Sequence, residues 1–221
     1  MARPRSPKGR ARETDLRLEE TFPGTARELC ALRFESPYQL LVATILSAQC
    51  TDVRVNMTTP ALFERYPRVE DLARASSLDV EALIRSTGFF RAKARNLIGM
   101  AVTVMRDFDG EIPRELDELV TLPGVGRKTG NVLRSVAFDL PGLPVDTHVG
   151  RLSRRLGLTE ATDPVKVEHE LNALIAPQRR GAFSLRLILH GRAVCVARRP
   201  TCEVCDLRDF CPRLGVSEAP R

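Results

Sequence analysis

The stretch Leu122-Pro123-Gly124-Val125-Gly126-Arg127-Lys128-Thr129-Gly130 constrains the fold more than any other part of the chain. Neither the proline nor the glycines favour a helix interior, yet the apolar spacing on both flanks is helical. The segment therefore predicts a helix over 114–121, a tight turn, and a second helix over 127–138. The glycines allow close approach to the turn, and backbone N–H groups at the start of the second helix point outward beside the positive end of its dipole. Such a hairpin suits a phosphate group, and an ordinary turn in a helical bundle would use the same glycines.

The remaining chain reads as helices separated by identifiable breaks. Helical patterns cover about 14–21, 37–48, 53–65, 69–75, 78–86, 91–108, 147–156, 164–175 and 181–194. Ser36-Pro37 supplies an N-cap followed by proline at the first helical position, and Asp163-Pro164 repeats the arrangement. Phe22-Pro23-Gly24, Tyr66-Pro67, Thr87-Gly88, Asp109-Gly110 and Gly157 mark helix ends. No sustained alternation of apolar and polar residues occurs, so the expected class is all-α, without an internal repeat.

Composition narrows the setting. With 221 residues and 43% hydrophobic content, the chain can build a proper core in one large domain or two small ones. It lacks a long apolar run and the apolar centre of a secretory signal, which predicts a cytoplasmic protein with no membrane association. The net charge of +6 is uneven. Arg3, Arg5, Lys8, Arg10 and Arg12 stand in an acid-free segment rich in proline and glycine, so residues 1–12 predict a disordered basic arm. Within 122–155, Arg127, Lys128, Arg134, Arg151, Arg154 and Arg155 meet only two acids, Asp139 and Asp146. That local sign suits phosphate, and it also suits a plain solvated helix face.

Lys128 falls in the first turn of the second hairpin helix, beside Arg127. A cation there is poor for helix stability but useful for a nucleophile, because a neutral amine is needed to attack carbon. A plain phosphate contact uses the same geometry. Asp146 lies beyond the connector Leu140-Pro141-Gly142-Leu143-Pro144 and just before a helix starting at Thr147, where it is suited to capping. It is also suited to accepting a proton and to stabilising positive charge on a sugar, and the roles can coexist. Cys195, Cys202, Cys205 and Cys211 follow the spacing C-x6-C-x2-C-x5-C, which can enclose one metal centre. Four sulfurs suit zinc as well as iron–sulfur. Cys30 and Cys50 stand apart in apolar surroundings, where buried, inert thiols are expected.

The Leu-Pro-Gly-Val-Gly-Arg-Lys-Thr hairpin, the segment Val145-Asp146-Thr147-His148 and the terminal cysteine pattern together resemble the endonuclease III family of DNA glycosylase/AP lyases, over about residues 14–213. The resemblance implies two helical lobes with the active cleft between them. One is a six-helix domain over 30–140 containing the helix-hairpin-helix; the other pairs 13–29 with 141–221 and carries a C-terminal [4Fe–4S] cluster loop. It implies a monomer, nucleoid-associated if bacterial, that repairs oxidised pyrimidines in double-stranded DNA. Lys128 then attacks C1′ of an extruded nucleotide, releasing the base through an imine, and β-elimination cuts 3′ to the abasic site while Asp146 assists base departure. The four cysteines become the cluster ligands, and the first cluster loop carries Arg198 and Arg199 toward phosphate. Leu122, Gly124, Val125, Gly126, Arg127 and Thr129 become the DNA-binding hairpin.

The same resemblance assigns two inserting loops. Leu46-Ser47-Ala48-Gln49 places Gln49 in the space vacated by the extruded base, where its amide offers both donor and acceptor. Thr87-Gly88-Phe89-Phe90 wedges Phe89 between bases, at a position where the family commonly has an aliphatic residue. Gly130 stands where the family often has alanine, at a cost of about 1 kcal/mol of helix stability unless closer packing offsets it. Two alternatives stay open. One is a monofunctional mismatch glycosylase of the same superfamily, whose adenine-specific members usually lack the hairpin lysine. The other is a non-catalytic DNA-binding module built on the same hairpin and loop.

Overall fold

Helices supply all the regular structure among the described residues, 4–216 of a computed structural model. The all-α expectation holds, with no strand among those residues. The chain divides into two compact units, Cys30–Phe138, and Met1–Leu29 combined with Asp139–Arg221. Helices α1 (Pro7–Thr21) and α2 (Ala26–Leu29) open the chain. The Cys30–Phe138 unit holds α3 (Pro37–Leu46), α4 (Asp52–Arg65), α5 (Val69–Ala73), α6 (Ser77–Ile84), α7 (Phe90–Asp107), α8 (Leu116–Leu119) and α9 (Arg127–Val132). Helices α10 (Thr147–Arg155), α11 (Pro164–Leu174) and α12 (Arg180–Ala193) belong with α1 and α2.

In the Cys30–Phe138 unit, α3 is the central rod. Its seven residues from Leu40 to Leu46 are all buried, and Ser36 caps its start by accepting the Gln39 N–H at 3.3 Å. Helix α7 turns Ala94, Leu97, Met100, Ala101 and Val104 inward at spacings of three and four, and packs on α3, α5 and α6. Its one buried polar member is Lys93. Helix α9 runs on into a π-helical turn, Leu133–Ala137, where the Phe138 N–H donates to the Leu133 carbonyl at 3.2 Å.

The unit containing both chain ends is built on Leu18, Val149, Leu152, Val167, Leu171, Phe183, Leu187 and Phe210, with Cys195, Cys205 and Cys211 packed against that core. Arg186 of α12, only 2% exposed, donates to the Asp15 carboxylate at 3.3 Å, to Glu19 at 3.0 Å, and to the Phe22 and Gly24 carbonyls at 3.1 Å each. Arg179 bonds the same two carboxylates, Asp15 and Glu19. A guanidinium bonded through all three nitrogens fixes where α1 lies on α12.

Residues 7–12 are helical, which corrects the expected disordered arm; residues 1–3 lie outside the described range. Ser6 accepts the Gly9 N–H at 3.1 Å and Pro7 takes the first helical position, the same signal as at Ser36-Pro37. Ala11 is fully buried, and Arg10 donates to the Leu156 carbonyl at 2.7 Å and the Gly157 carbonyl at 2.6 Å. The arginine that composition assigned to solvent thus caps the end of α10. Cys30 and Cys50 are also corrected: both are half-buried, since each lies in a connector between helices.

Candidate active site

The hairpin forms between α8 and α9. Gly124 has φ +79°, and a Cβ there would stand 2.9 Å from the Asn96 Cβ, so both conformation and space demand glycine. Gly126 differs, because its φ of −95° suits any residue and a Cβ would meet nothing within 4 Å. The open space at Gly126 is room for something outside the chain to approach the backbone. Leu122 and Val125 are buried, so this turn offers a partner its peptide groups rather than those two side chains. The Val125 N–H closes the turn on the Leu122 carbonyl at 3.0 Å.

Gly126 supplies no side-chain cap to α9, whose first internal bond runs from the Gly130 N–H to the Gly126 carbonyl at 3.0 Å. The Lys128 and Thr129 N–H groups therefore have no acceptor within the helix. A Cβ on Gly130 would lie 2.7 Å from Leu116 Cδ1, so glycine lets α9 sit closely on α8. Lys128 is exposed, and its ammonium has no partner among the described residues. Arg127 and Thr129 are half-buried.

Asp146 is the N-cap of α10. Its Oδ1 accepts the His148 N–H at 2.8 Å and the Val149 N–H at 2.9 Å, while Oδ2 makes no hydrogen bond among the described residues. Capping therefore uses one carboxylate oxygen and leaves the other available. Asp146 belongs to the unit of α10, and Lys128 to Cys30–Phe138.

Gln49 and Phe89 share an unusual backbone. Their φ angles are +52° and +47°, and both side chains are exposed, Phe89 to 67%. Left-handed backbone at such residues costs about 1–3 kcal/mol and persists only where surrounding structure imposes it. Phe90 is half-buried, with the Arg85 and Arg91 guanidinium groups 5.9 and 5.5 Å from its ring centre.

Cys195, Cys202, Cys205 and Cys211 line one cavity, together with Arg155, Pro200 and Arg208. No group of three or more His, Cys, Asp or Glu side chains among the described residues is disposed to hold a single metal ion. Four thiols lining one cavity are a donor set that suits a sulfur-ligated metal centre, zinc or iron–sulfur. Polar groups lie beside the sulfurs: Arg155 Nη1 donates to Cys195 Sγ at 3.3 Å, and His190 Nε2 lies 3.4 Å from Cys205 Sγ. Burial pushes the Cys205 thiol up to about 11 and raises Cys211 as well, so thiolates here need positive charge among them.

The basic segment 122–155 does not present a continuous face to phosphate. Arg155 is buried and donates to the Val196 carbonyl at 2.8 Å and the Ala197 carbonyl at 2.6 Å. Arg151 donates to the Gly191 and Cys195 carbonyls at 3.0 and 2.9 Å. Arg134 pairs with Glu115 at 2.9 Å, and Arg154 reaches the Ala161 carbonyl at 3.4 Å. Arg155 and Arg151 thus shape the loop that begins at Cys195, and they leave Arg198 and Arg199 exposed on it. Charge counting had no means of separating these buried arginines from the exposed pair; their apolar neighbours Val149, Leu152 and Leu156 were the available sign.

Residues 42–177 match the family described as HhH-GPD superfamily base excision DNA repair protein, the class that the glycine hairpin and its helices define. Endonuclease III of Synechocystis sp. is 53% identical over 213 residues, covering 96% of each chain. Endonuclease III of Bacillus subtilis is 44% identical over 183 residues, covering 82% of this chain and 84% of its own. The Escherichia coli K12 protein of that name is 38% identical over 198 residues, with 88% and 91% covered. A solved non-covalent Endonuclease III–DNA complex superposes with a TM-score of 0.86 at 40% identity, covering 93% of this chain and 95% of that one. A trapped covalent Endonuclease III–DNA intermediate also gives 0.86 at 40% identity, with 93% and 96% covered. The chain belongs to the endonuclease III family.

Proposed function

We propose that the chain is a bifunctional DNA N-glycosylase and AP lyase of base-excision repair, acting on double-stranded DNA that carries an oxidised pyrimidine or an abasic site. One observation carries the reading. The sole lysine of the glycine hairpin is solvent-exposed and unpaired at the start of α9, in a chain whose 40% identical relative has been trapped covalently on DNA. In its neutral form the Lys128 amine attacks C1′ of the extruded nucleotide, the N-glycosidic bond breaks, and the base leaves with a proton. The C1′–O4′ bond of the resulting aminal then breaks, O4′ takes a proton to become the C4′ hydroxyl, and the opened sugar is left as an imine to Lys128. Removal of a C2′ proton then breaks the C3′–O bond and cuts the strand 3′ to the site.

Asp146 contributes through Oδ2, accepting a proton and stabilising positive charge on the sugar, while Oδ1 stays on the α10 cap. The peptide groups of Gly124, Gly126 and the first turn of α9 bind phosphate, flanked by Arg127 and Thr129. Gln49 and Phe89 enter the stack left by the extruded nucleotide. Cys195, Cys202, Cys205 and Cys211 hold a [4Fe–4S] cluster, which when bound supplies a structural cross-link for the loop bearing Arg198 and Arg199. No helix among the described residues is long and apolar enough to cross a membrane. A DNA substrate places the chain in the cytoplasm, at the nucleoid, and one copy carries both Lys128 and Asp146, so it acts as a monomer.

A duplex containing one thymine glycol tests this reading. Base release and strand scission proceed together for a bifunctional enzyme. Base release with an intact strand indicates a monofunctional glycosylase, and binding with neither reaction indicates a DNA-binding module.

A further inference from the structure

Gln49 and Phe89 sit in separate connectors, one after α3 and one before α7, and a single buried side chain ties the connectors together. The Lys93 ammonium, 4% exposed, donates to the Leu46 carbonyl at 2.8 Å and to the Thr87 carbonyl at 2.8 Å. Leu46 is the last residue of α3 and lies just upstream of Gln49; Thr87 closes the 3-10 turn Arg85–Thr87, just upstream of Phe89. Both acceptors are helix-end carbonyls, which lack an internal donor. A hydroxyl pair at 3.0 Å, Thr58 of α4 with Ser86, adds a second link between the helix that follows Gln49 and the Phe89 connector.

This lysine is an expensive way to fill a core. No carboxylate pairs with it among the described residues, and burial lowers its pKa below the ordinary lysine range, with Cys50 acting the other way. A methionine would occupy similar space without desolvating a charge. What the ammonium adds is its reach to two carbonyls at once, and each of them precedes a residue held in left-handed backbone.

We propose that Lys93 is a positioning residue that fixes Gln49 and Phe89 as one wedge, so that the two side chains enter the base stack in a set relation. The inference rests on the repair reading above. Without the clip each connector relaxes by itself, and Gln49 no longer meets the orphaned base when Phe89 parts the neighbouring pair. The loss is then specific to substrates that present an opposing base.

The test compares wild type with Lys93→Met and Lys93→Arg. One substrate is a duplex with 2-aminopurine opposite a tetrahydrofuran abasic analogue; the others carry a true abasic site, either opposite a base or in a single-nucleotide bulge with no opposing base. Lys93→Met loses the 2-aminopurine fluorescence change at saturating protein, and Lys93→Arg recovers it. Single-turnover cleavage opposite a base falls about tenfold in Lys93→Met, the scale of one charge-assisted hydrogen bond, while the bulged site is cut at the wild-type rate. Wild-type fluorescence amplitude, or equal loss on both cleavage substrates, overturns the proposal. If the methionine variant does not fold, Lys93→Gln, whose shorter amide reaches one carbonyl at most, carries the same comparison, and wild-type amplitude again overturns it. Absence of cleavage by the wild-type protein is a different failure, that of the repair reading.

Discussion

At residue scale, Gly124 and Gly130 of the hairpin are glycines for different physical reasons. Gly124→Ala forces a side chain into left-handed backbone and against Asn96, so it should cost about 1–3 kcal/mol in a denaturant melt. Gly130→Ala gains helix propensity but displaces the flexible end of Leu116, and its net effect should stay within about 1 kcal/mol of zero. The glycine turn was legible in the sequence because its residue types are its mechanism. Asp146 was legible in one role only: its place before Thr147 announced a cap, and capping through Oδ1 is what the structure contains. Lys93 was not legible. A lone lysine early in an amphipathic helix reads as solvated, and its two acceptors come from segments that only the tertiary fold brings beside it.

At the scale of elements, helix positions followed from local punctuation while their partners did not. Ser36-Pro37 and Asp163-Pro164 marked the starts of α3 and α11, whereas Ser6-Pro7 was obscured by the surrounding arginines and proline. The docking of α1 on α12 depends on Arg186, which is far from Asp15 in sequence and had no local signal. Arg186→Ala removes a buried side chain and its bonds to Asp15 and to the Phe22 and Gly24 carbonyls, while Arg179 still holds both carboxylates, and should destabilise the protein by about 2–3 kcal/mol. Glu19 gives a pH signature at the same contact. Its hydrogen bond from Arg179, above all, holds its carboxyl below the ordinary value of 4.5. A carboxyl lowered in the native state contributes stability above its unfolded pKa and loses it as pH falls through the native value. The melting-temperature gap between wild type and Glu19→Gln should therefore be present at neutral pH and close as pH falls below about 4.

For the whole molecule, one chain makes two units with different means of support. The Cys30–Phe138 unit rests on an apolar rod, while the other combines a helical core with a cysteine-lined cavity. Cys205→Ser should lower bound iron and sulfide and reduce the melting temperature, whereas a zinc-containing protein free of sulfide would remove the cluster assignment. In the proposed reaction Lys128 forms the covalent bond to DNA. Borohydride reduction during reaction with an abasic duplex, followed by peptide mapping of the adduct, tests it most directly. The expected product is a stable protein–DNA adduct on Lys128 that Lys128→Ala abolishes; an adduct on another residue, or one that survives Lys128→Ala, rules out Lys128 as the nucleophile.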